Sequence, residues 1–235
     1  MMRLNRFFTD NGVMSRRAAD TAIKLGRVSV NGTTAVLGTK VTETDKIKLD
    51  GKMIRVGKKT PVIIAYHKPI GIECTSNPDV PDNIIDAVGY HERVFHIGRL
   101  DKMSEGLILL TNIGEIVNKI LRARNFHEKE YIVETDGYIS DEKLAAMARG
   151  IELEDGKTRP CKVERLAKRR FRMVLTEGRN RQIRRMVEAV DLGVSRLKRV
   201  RVMNIELGKL MKNDYRIINK KEKADLMEML NRVTE

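Results

Sequence analysis

The chain has 235 residues, with 41% hydrophobic and 33% charged residues and a formal net charge of +14. That balance is globular rather than disordered. The apolar runs, such as Gly106-Leu107-Ile108-Leu109-Leu110-Thr111, fall far short of the roughly 20 residues a membrane helix needs, and the start Met1-Met2-Arg3-Leu4-Asn5-Arg6 has no apolar core of secretory type. Cys74 and Cys161 make no disulfide framework or metal spacing, and the histidines at 67, 91, 96 and 127 do not cluster with them. A protein of the reducing cytoplasm with no metal is expected.

The charge is concentrated. Residues 1–60 hold 13 Lys/Arg against 5 Asp/Glu, and residues 165–201 hold 13 against 3. Two basic blocks on a near-neutral remainder point to two surfaces facing one polyanion. Tryptophan is absent, so a broad aromatic platform for stacking bases is not expected.

In chain order, residues 1–56 read as one small unit. Arg3 to Thr9 is a short helix with Leu4, Phe7 and Phe8 on one face, broken at Asp10-Asn11-Gly12. Ser15 caps a second helix, Arg16 to Leu25, and Gly26 ends it. Val28-Ser29-Val30 alternates as a strand, Asn31-Gly32 signals a hairpin, and Val41 to Leu49 supplies further short strands. Residues 57–61 read as a linker. From 62 to 235, strands are expected at Val62–Tyr66, Val94–Ile97, Gly106–Thr111, Lys129–Thr135, Arg170–Leu175, Val200–Leu207 and Tyr215–Ile218. Helices are expected at Glu115–Leu121, Asp141–Arg149, Arg181–Ala189 and Lys221–Arg232. Strands in short hairpin-like order argue for an α+β fold with a mostly antiparallel, mixed sheet.

Several motifs carry a resemblance. Arg3-Leu4-Asn5, Ser15-Arg16-Arg17-Ala18-Ala19, Gly26-Arg27-Val28 and Val30-Asn31-Gly32 resemble the S4 RNA-binding domain. Arg3, Arg16, Arg17, Lys24 and Arg27 are then its candidate RNA contacts. Independently of that, Arg16, Arg17, Lys24 and Arg27 fall along or just beyond one helix, where several can meet phosphates together. A solvated helix face is the other reading of the same charges.

Further along, Gly98-Arg99-Leu100-Asp101-Lys102-Met103-Ser104-Glu105-Gly106 sets a carboxylate in a glycine-flanked loop just before a buried strand. By itself such an Asp is either a turn residue or an exposed acid. The segment resembles the catalytic motif of pseudouridine synthases, in the branch that carries an N-terminal S4 domain. Lys68-Pro69-Ile70-Gly71, Lys129-Glu130-Tyr131 and Gly178-Arg179-Asn180-Arg181-Gln182-Ile183-Arg184 resemble three more motifs of that family, in order and at its spacing. Ser104 stands where many relatives have Thr.

The resemblance implies that the protein isomerises uridine to pseudouridine. Asp101 is then the carboxylate at the target nucleotide, Arg184 its partner and Tyr131 the ring against the base. Arg99 enters the space the flipped nucleotide leaves, while Arg179, Arg181 and Arg185 meet RNA. The resemblance further implies large-subunit rRNA near the peptidyl-transfer centre as the substrate, with a tRNA anticodon loop as a possible second one. No cofactor, membrane, DNA or obligate protein partner is implied. Competing readings are a catalytically silent S4-type RNA-binding or ribosome-assembly protein and a DNA-binding protein. A carboxylate in an RNA groove argues against the first, and the lack of a clear helix-turn-helix against the second.

Overall fold

The structure, a computed structural model, describes residues 1–54, 60–122 and 126–232. Much of the expected linker, residues 57–59, lies outside the described residues. The chain divides into two compact units, Met1–Val62 with Asn112–Gly114, and Ile63–Thr111 with Glu115–Glu235.

The first unit begins with β1 (Met2–Arg3), α1 (Leu4–Asp10) and α2 (Arg16–Lys24). Short strands follow: β2 (Val28–Val30), β3 (Thr33–Thr34), β4 (Lys40–Val41), β5 (Ile47–Leu49) and β6 (Lys52–Met53). Ser15 caps α2 by accepting from the Ala18 N–H at 3.1 Å. Gly26 follows α2 at φ +69°, the left-handed region that glycine enters freely. Asn31 and Gly32, both at positive φ, turn β2 into β3, as the sequence predicts. Leu4, Phe7, Phe8, Ala19, Ala22, Ile23, Val28, Val41 and Ile47 pack into one core. Apolar residues three and four apart on α1 and α2 thus meet the inward positions of the sheet. β1 pairs with β4, an element the sequence reading omits because two residues carry no period.

The second unit contains β7 (Ile63–Lys68), α3 (Ile84–Val88), β8 (Phe95–Ile97), β9 (Glu105–Thr111), α4 (Gly114–Leu121), β10 (Lys129–Thr135) and α5 (Asp141–Arg149). It continues with β11 (Lys162–Ala167), β12 (Arg170–Leu175), α6 (Gln182–Glu188), β13 (Val194–Val202), β14 (Ile205–Glu206), β15 (Tyr215–Ile217) and α7 (Lys220–Arg232). The sheet runs β11-β12-β10-β13-β9-β7-β15, with β14 paired to β13 and β8 to β9. Among the described residues β13 and β9 form its one parallel pair, and the other pairs are antiparallel. The fold is α+β with a mixed sheet, as expected. All of β9 is buried, which suits a continuous apolar run at the centre of a sheet.

Two expectations change. The late strand expected at 200–207 begins at Val194 and stops at Val202, where Met203 at φ +52° turns the chain into β14. Arg196, Lys198 and Arg201 disguise the alternation of β13. β11 and α3 were not expected: Lys162, Glu164 and Arg165 dilute the first, and the second is five residues long.

One junction of the sheet bears on function. β13 pairs with only the first two residues of β9, and β8 takes the same edge from Leu109 onward. Gly106 lies in that short pairing opposite Arg199. It sits at φ +109°, and a Cβ there would lie 2.2 Å from the Arg199 carbonyl oxygen. Only glycine lets the two backbones approach this closely.

Candidate active site

The loop between β8 and β9 alternates. Leu100 is buried and its N–H points at Cys74 Sγ, 3.3 Å away. Its neighbours Arg99 and Asp101 therefore face outward. The Ser104 N–H donates to the Asp101 carbonyl at 3.0 Å, closing the turn into β9.

Beneath the loop lies Lys68, fully buried at the end of β7. Its ammonium donates to the carbonyls of Pro69 and Ile72, both at 2.8 Å, and reaches that of Lys102 at 3.4 Å. The Gly71 N–H adds a bond to the Lys102 carbonyl at 2.9 Å. Three carbonyl dipoles thus hold a buried cation, and the cation ties the 69–72 turn to the residue after Asp101. Burial pushes the Lys68 amine down to about 8, with Cys74 and Asp101 opposing the shift.

Arg184 reaches the same loop from α6. Ile183, Met186 and Val187 are buried, which turns Arg184 toward the loop. Its Nη2 donates to the Met103 carbonyl at 3.0 Å and approaches Ser104 Oγ at 3.4 Å, while Nη1 reaches the Val194 carbonyl at 3.3 Å. Its Nε lies 3.8 Å from Asp101 Oδ2. That distance is an ion pair but too long for a hydrogen bond. Arg184 Nε is buried and has no hydrogen-bond partner among the described residues. Burial, with Arg181 adding, lowers the Arg184 pKa from its usual value, and Asp101 opposes this.

Tyr131 comes from the centre of the sheet. It is 9% exposed and stands opposite Met173 of β12 and Arg199 of β13. Tyr131, Asp101, Arg99, Arg181, Ile183 and Leu197 all line one small cavity of about 80 Å³. A wider groove of about 650 Å³ shares Arg99, Asp101, Arg179 and Arg181 with it and adds Lys102 and Asn180. The result is a basic groove, lined also by Glu73, with the Asp101 carboxylate and the Tyr131 phenol in the small cavity that adjoins it. Such a groove can hold a polyanion strand and admit a single extruded group.

The remaining candidates divide. Arg99 and Arg181 are exposed at the groove. The Arg179 guanidinium is instead spent on the carbonyls of Gly156 at 2.6 Å and Lys157 at 2.5 Å. The Arg185 guanidinium is in a two-point pair with Asp155 at 2.8 and 3.1 Å. Both fix the 155–157 turn beside the groove.

In the first unit Arg3, Arg16, Arg17 and Lys24 are exposed, and Arg27 is held by Asp50 through two bonds of 2.8 and 2.6 Å. Among the described residues no group of three or more His, Cys, Asp or Glu could hold a metal ion. No described helix is long and apolar enough to cross a membrane.

Sequence reasoning assigned no role to Lys68, Glu105, Lys129 or Arg199. Lys129 and Arg199 sit at inward positions of β10 and β13, Lys68 and Glu105 at the ends of two fully buried strands, and Lys68 and Lys129 also fall within motifs that carry the resemblance; those were the available signals. Glu105 is fully buried between Arg196 at 2.6 Å and Lys212 at 2.8 Å. Burial pushes its carboxyl up, but the two cations outweigh this and hold it below its ordinary value.

The chain is similar to known pseudouridine synthases. Over 97% of its length the chain is 43% identical to the dual-specificity RNA pseudouridine synthase RluF of Salmonella typhi, covering 79% of that protein. It is 37% identical to the ribosomal large subunit pseudouridine synthase B of Bacillus subtilis (strain 168), covering 92% of this chain and 91% of the relative. A solved pseudouridylate synthase, 28% identical, superposes with a TM-score of 0.70 over 97% of this chain and 100% of its own. The family described as RNA pseudouridylate synthase matches residues 62–189. That stretch is more than half of the chain and carries the Asp101 loop, the Tyr131 strand and the Arg184 helix, so the chain belongs to the RNA pseudouridylate synthase family.

Proposed function

We propose that this RNA pseudouridine synthase acts on uridine in large-subunit ribosomal RNA, with Asp101 as the group that meets the ribose C1′ or the uracil ring. The observation that carries the assignment is that Asp101 and Tyr131 line one cavity beside a basic groove while Arg184 pairs with Asp101 at 3.8 Å. The relatives named for large-subunit rRNA support the substrate class. A tRNA anticodon loop is the second substrate that the sequence resemblance implies; the dual-specificity name of the relatives at 43% identity supports a second substrate without saying which.

The chemistry asks for these groups. The N1–C1′ bond must break, the uracil must turn, and C5 must bond to C1′. An ionised carboxylate serves as nucleophile or as electrostatic partner to C1′. Arg184 sets a cation 3.8 Å from that carboxylate and, through Met103 and Ser104, fixes the loop. The target uridine must leave its stack at a cost of a few kcal/mol. Arg99, exposed beside Asp101, is placed to fill the gap it leaves.

Residues 1–56 act as an S4 RNA-binding domain, joined through 57–61 to the catalytic domain of 62–235. Arg3, Arg16, Arg17 and Lys24 supply its phosphate contacts, with Arg27 held by Asp50 at their edge. Arg181 serves the groove from the catalytic side, and the 155–157 turn set by Arg179 and Arg185 shapes its wall. The enzyme works in the cytoplasm with RNA as its only required partner.

The test is to incubate large-subunit rRNA lacking modifications with the protein, digest it and map pseudouridine. New pseudouridine at one or a few sites is expected. RNA that is bound but unchanged would reject the proposal. Tyr131→Phe sharpens it, since the ring stays and the phenol goes. If the phenol handles a proton, turnover falls by about 100-fold while RNA affinity stays within about twofold. Wild-type turnover would assign Tyr131 to ring contact alone.

A further inference from the structure

The floor of the groove carries positive charge that the reaction outlined so far does not use. Lys68 on β7 stands opposite Gly106 on β9, Gly106 opposite Arg199 on β13, and Arg199 opposite Tyr131 on β10. Residues paired across strands project from the same face of a sheet. Lys68, Arg199 and Tyr131 therefore form one row, with a gap at Gly106. Lys129 lies two residues before Tyr131 on β10 and so on that face as well.

Lys129, Tyr131 and Arg199 line a cavity of about 190 Å³ that shares Tyr131 and Arg99 with the Asp101 pocket. Arg199 is 3% exposed. Its Nε–H is spent on the Leu107 carbonyl at 2.7 Å, but its Nη2 is buried with no partner among the described residues. The Lys129 ammonium makes a long hydrogen bond, 3.4 Å, to the His127 carbonyl. Glu177, the carboxylate lining this cavity, already accepts from the Arg159 N–H at 3.0 Å and the Gln182 amide at 2.8 Å, and Arg179 Nε lies 3.5 Å away. A buried cation, Arg199, and a half-buried one, Lys129, with unused donors and no free counter-ion are costly. Such a cavity suits an anion.

The reaction generates one. When N1–C1′ breaks, its electron pair stays on the uracil and spreads over N1, O2 and O4. C1′ bonds to a carboxylate oxygen of Asp101, or C2′ gives up a proton to that carboxylate as a C1′–C2′ double bond forms, and the proton later returns to C2′. The ring then turns, C5 bonds to C1′, and the C5 proton leaves as N1 gains one, so the product is an isomer with no net change in protons. Between the two bonds the uracil carries a negative charge beside a carboxylate, and it needs donors elsewhere.

We propose that Lys129 and Arg199, flanking Tyr131 on the sheet floor, donate hydrogen bonds to the carbonyl oxygens of the detached uracil and hold its charge. The assignment rests on the Asp101 reaction proposed above. Phosphates are the other anions of RNA, but exposed Arg99, Lys102 and Arg181 already meet them at the rim. Burial, with Arg199 adding, pushes the Lys129 amine down to about 8. It is protonated, and able to donate, below that pH. The groups facing it are His127 and Tyr131 from its own strand and the turn before it, Arg199 from β13, Arg99 from the β8–β9 loop, and Glu177 and Arg179 from the loop after β12. Lys68, the other amine near 8, lies at the far end of the row.

The test uses the full chain and a transcript of large-subunit rRNA made with uridine or with 5-fluorouridine. Rates are read in single turnover at saturating enzyme, by digestion and mass spectrometry. Fluorine makes the uracil a better leaving group that needs less help; C5 then has no proton to lose, so after C5 bonds to C1′ the N1=C6 bond takes up water, and this rearranged, hydrated fluorinated nucleotide is the product scored. Lys129→Met is expected to slow the uridine transcript about 100-fold and the fluorinated one by about 10-fold or less, a loss typical of removing one charge-stabilising donor. RNA affinity should stay within about twofold. Lys129→Arg should restore most of the rate and remove the fall above about pH 8, while Lys68 is untouched. Arg199→Lys should show the same leaving-group sensitivity; if it does not fold, the Lys129 series decides.

An equal loss on both transcripts would overturn the proposal, as would a loss of affinity with an unchanged saturated rate, which would mark a phosphate site. Asp101→Asn should be inactive on both. Activity in that variant would instead reject the Asp101 reaction itself, so the two failures are distinguishable.

Discussion

Asp101→Asn should bind RNA within about twofold of wild type and lose about 1000-fold or more in turnover, the scale of removing a covalent or electrostatic partner of the reacting atom. The substitution keeps the shape of the side chain and removes its charge. The loop should hold, because its anchors lie elsewhere. Lys68 grips the Lys102 carbonyl, Arg184 donates to the Met103 carbonyl, and the Leu100 amide points at Cys74. The loss therefore reports charge rather than collapse. Single-turnover conversion, read by digesting the RNA, is the measurement. Residual isomerisation above about 5% of wild type would be too much for a reaction that needs an ionised oxygen at C1′, since it corresponds to under 2 kcal/mol of barrier. The assignment of Asp101 would then fall.

The groups at the groove were legible in the sequence to different depths, for physical reasons. Asp101, Tyr131 and Arg184 are separated by tens of residues, and no periodicity links them. Their meeting was readable only because the motifs around them resemble a known family. The local devices needed no family. Ser15 as a cap, Gly26 after α2 and the Asn31-Gly32 turn follow from backbone chemistry alone and appear as expected. Arg179 and Arg185 show where one-dimensional reading stops. Their neighbours suggest phosphate contacts, yet Asp155 and the carbonyls of 156 and 157 bind both guanidinium groups. A turn some 20 to 30 residues away in sequence supplies those partners, and nothing local announces it. β13 was shortened and shifted in the reading for the same kind of reason. It places Arg196 against Glu105 and Arg199 beneath Tyr131, so its charges answer tertiary demands rather than solvent.

Lys68 and Gly106 explain why a loop can serve as a precise support for Asp101. Loops are ordinarily the mobile part of a fold. This one leaves a strand edge where Gly106 brings β9 and β13 into close approach, and a buried ammonium then ties it to the 69–72 turn. Arg184 adds a third attachment from α6. A carboxylate fixed from three sides needs little reorganisation when charge develops at C1′, which is the condition under which electrostatic stabilisation is most effective.

Removing residues 1–60 should weaken RNA binding and flatten its salt dependence while leaving the chemical step intact. The first unit has its own core of Leu4, Phe7, Phe8, Ile23 and Ile47, and Asp101, Tyr131 and Arg184 all belong to the second. Arg3, Arg16, Arg17 and Lys24 are exposed. Each phosphate they neutralise releases counterions and contributes about −0.7 to −0.9 to the slope of log affinity against log salt. Loss of about four such contacts should lower the magnitude of that slope by about 3 and cut affinity by about 100-fold or more at moderate salt. The saturated single-turnover rate separates binding from chemistry. It should stay within about threefold of the intact enzyme, because uniform binding energy does not alter the step after binding. Circular dichroism of the truncated chain shows whether the second unit has kept its fold. If the folded, saturated enzyme instead slows as far as Asp101→Asn, the first unit must bend the RNA into the groove. Its binding energy would then be spent on extruding the uridine, and the separation of binding from chemistry proposed here would fail.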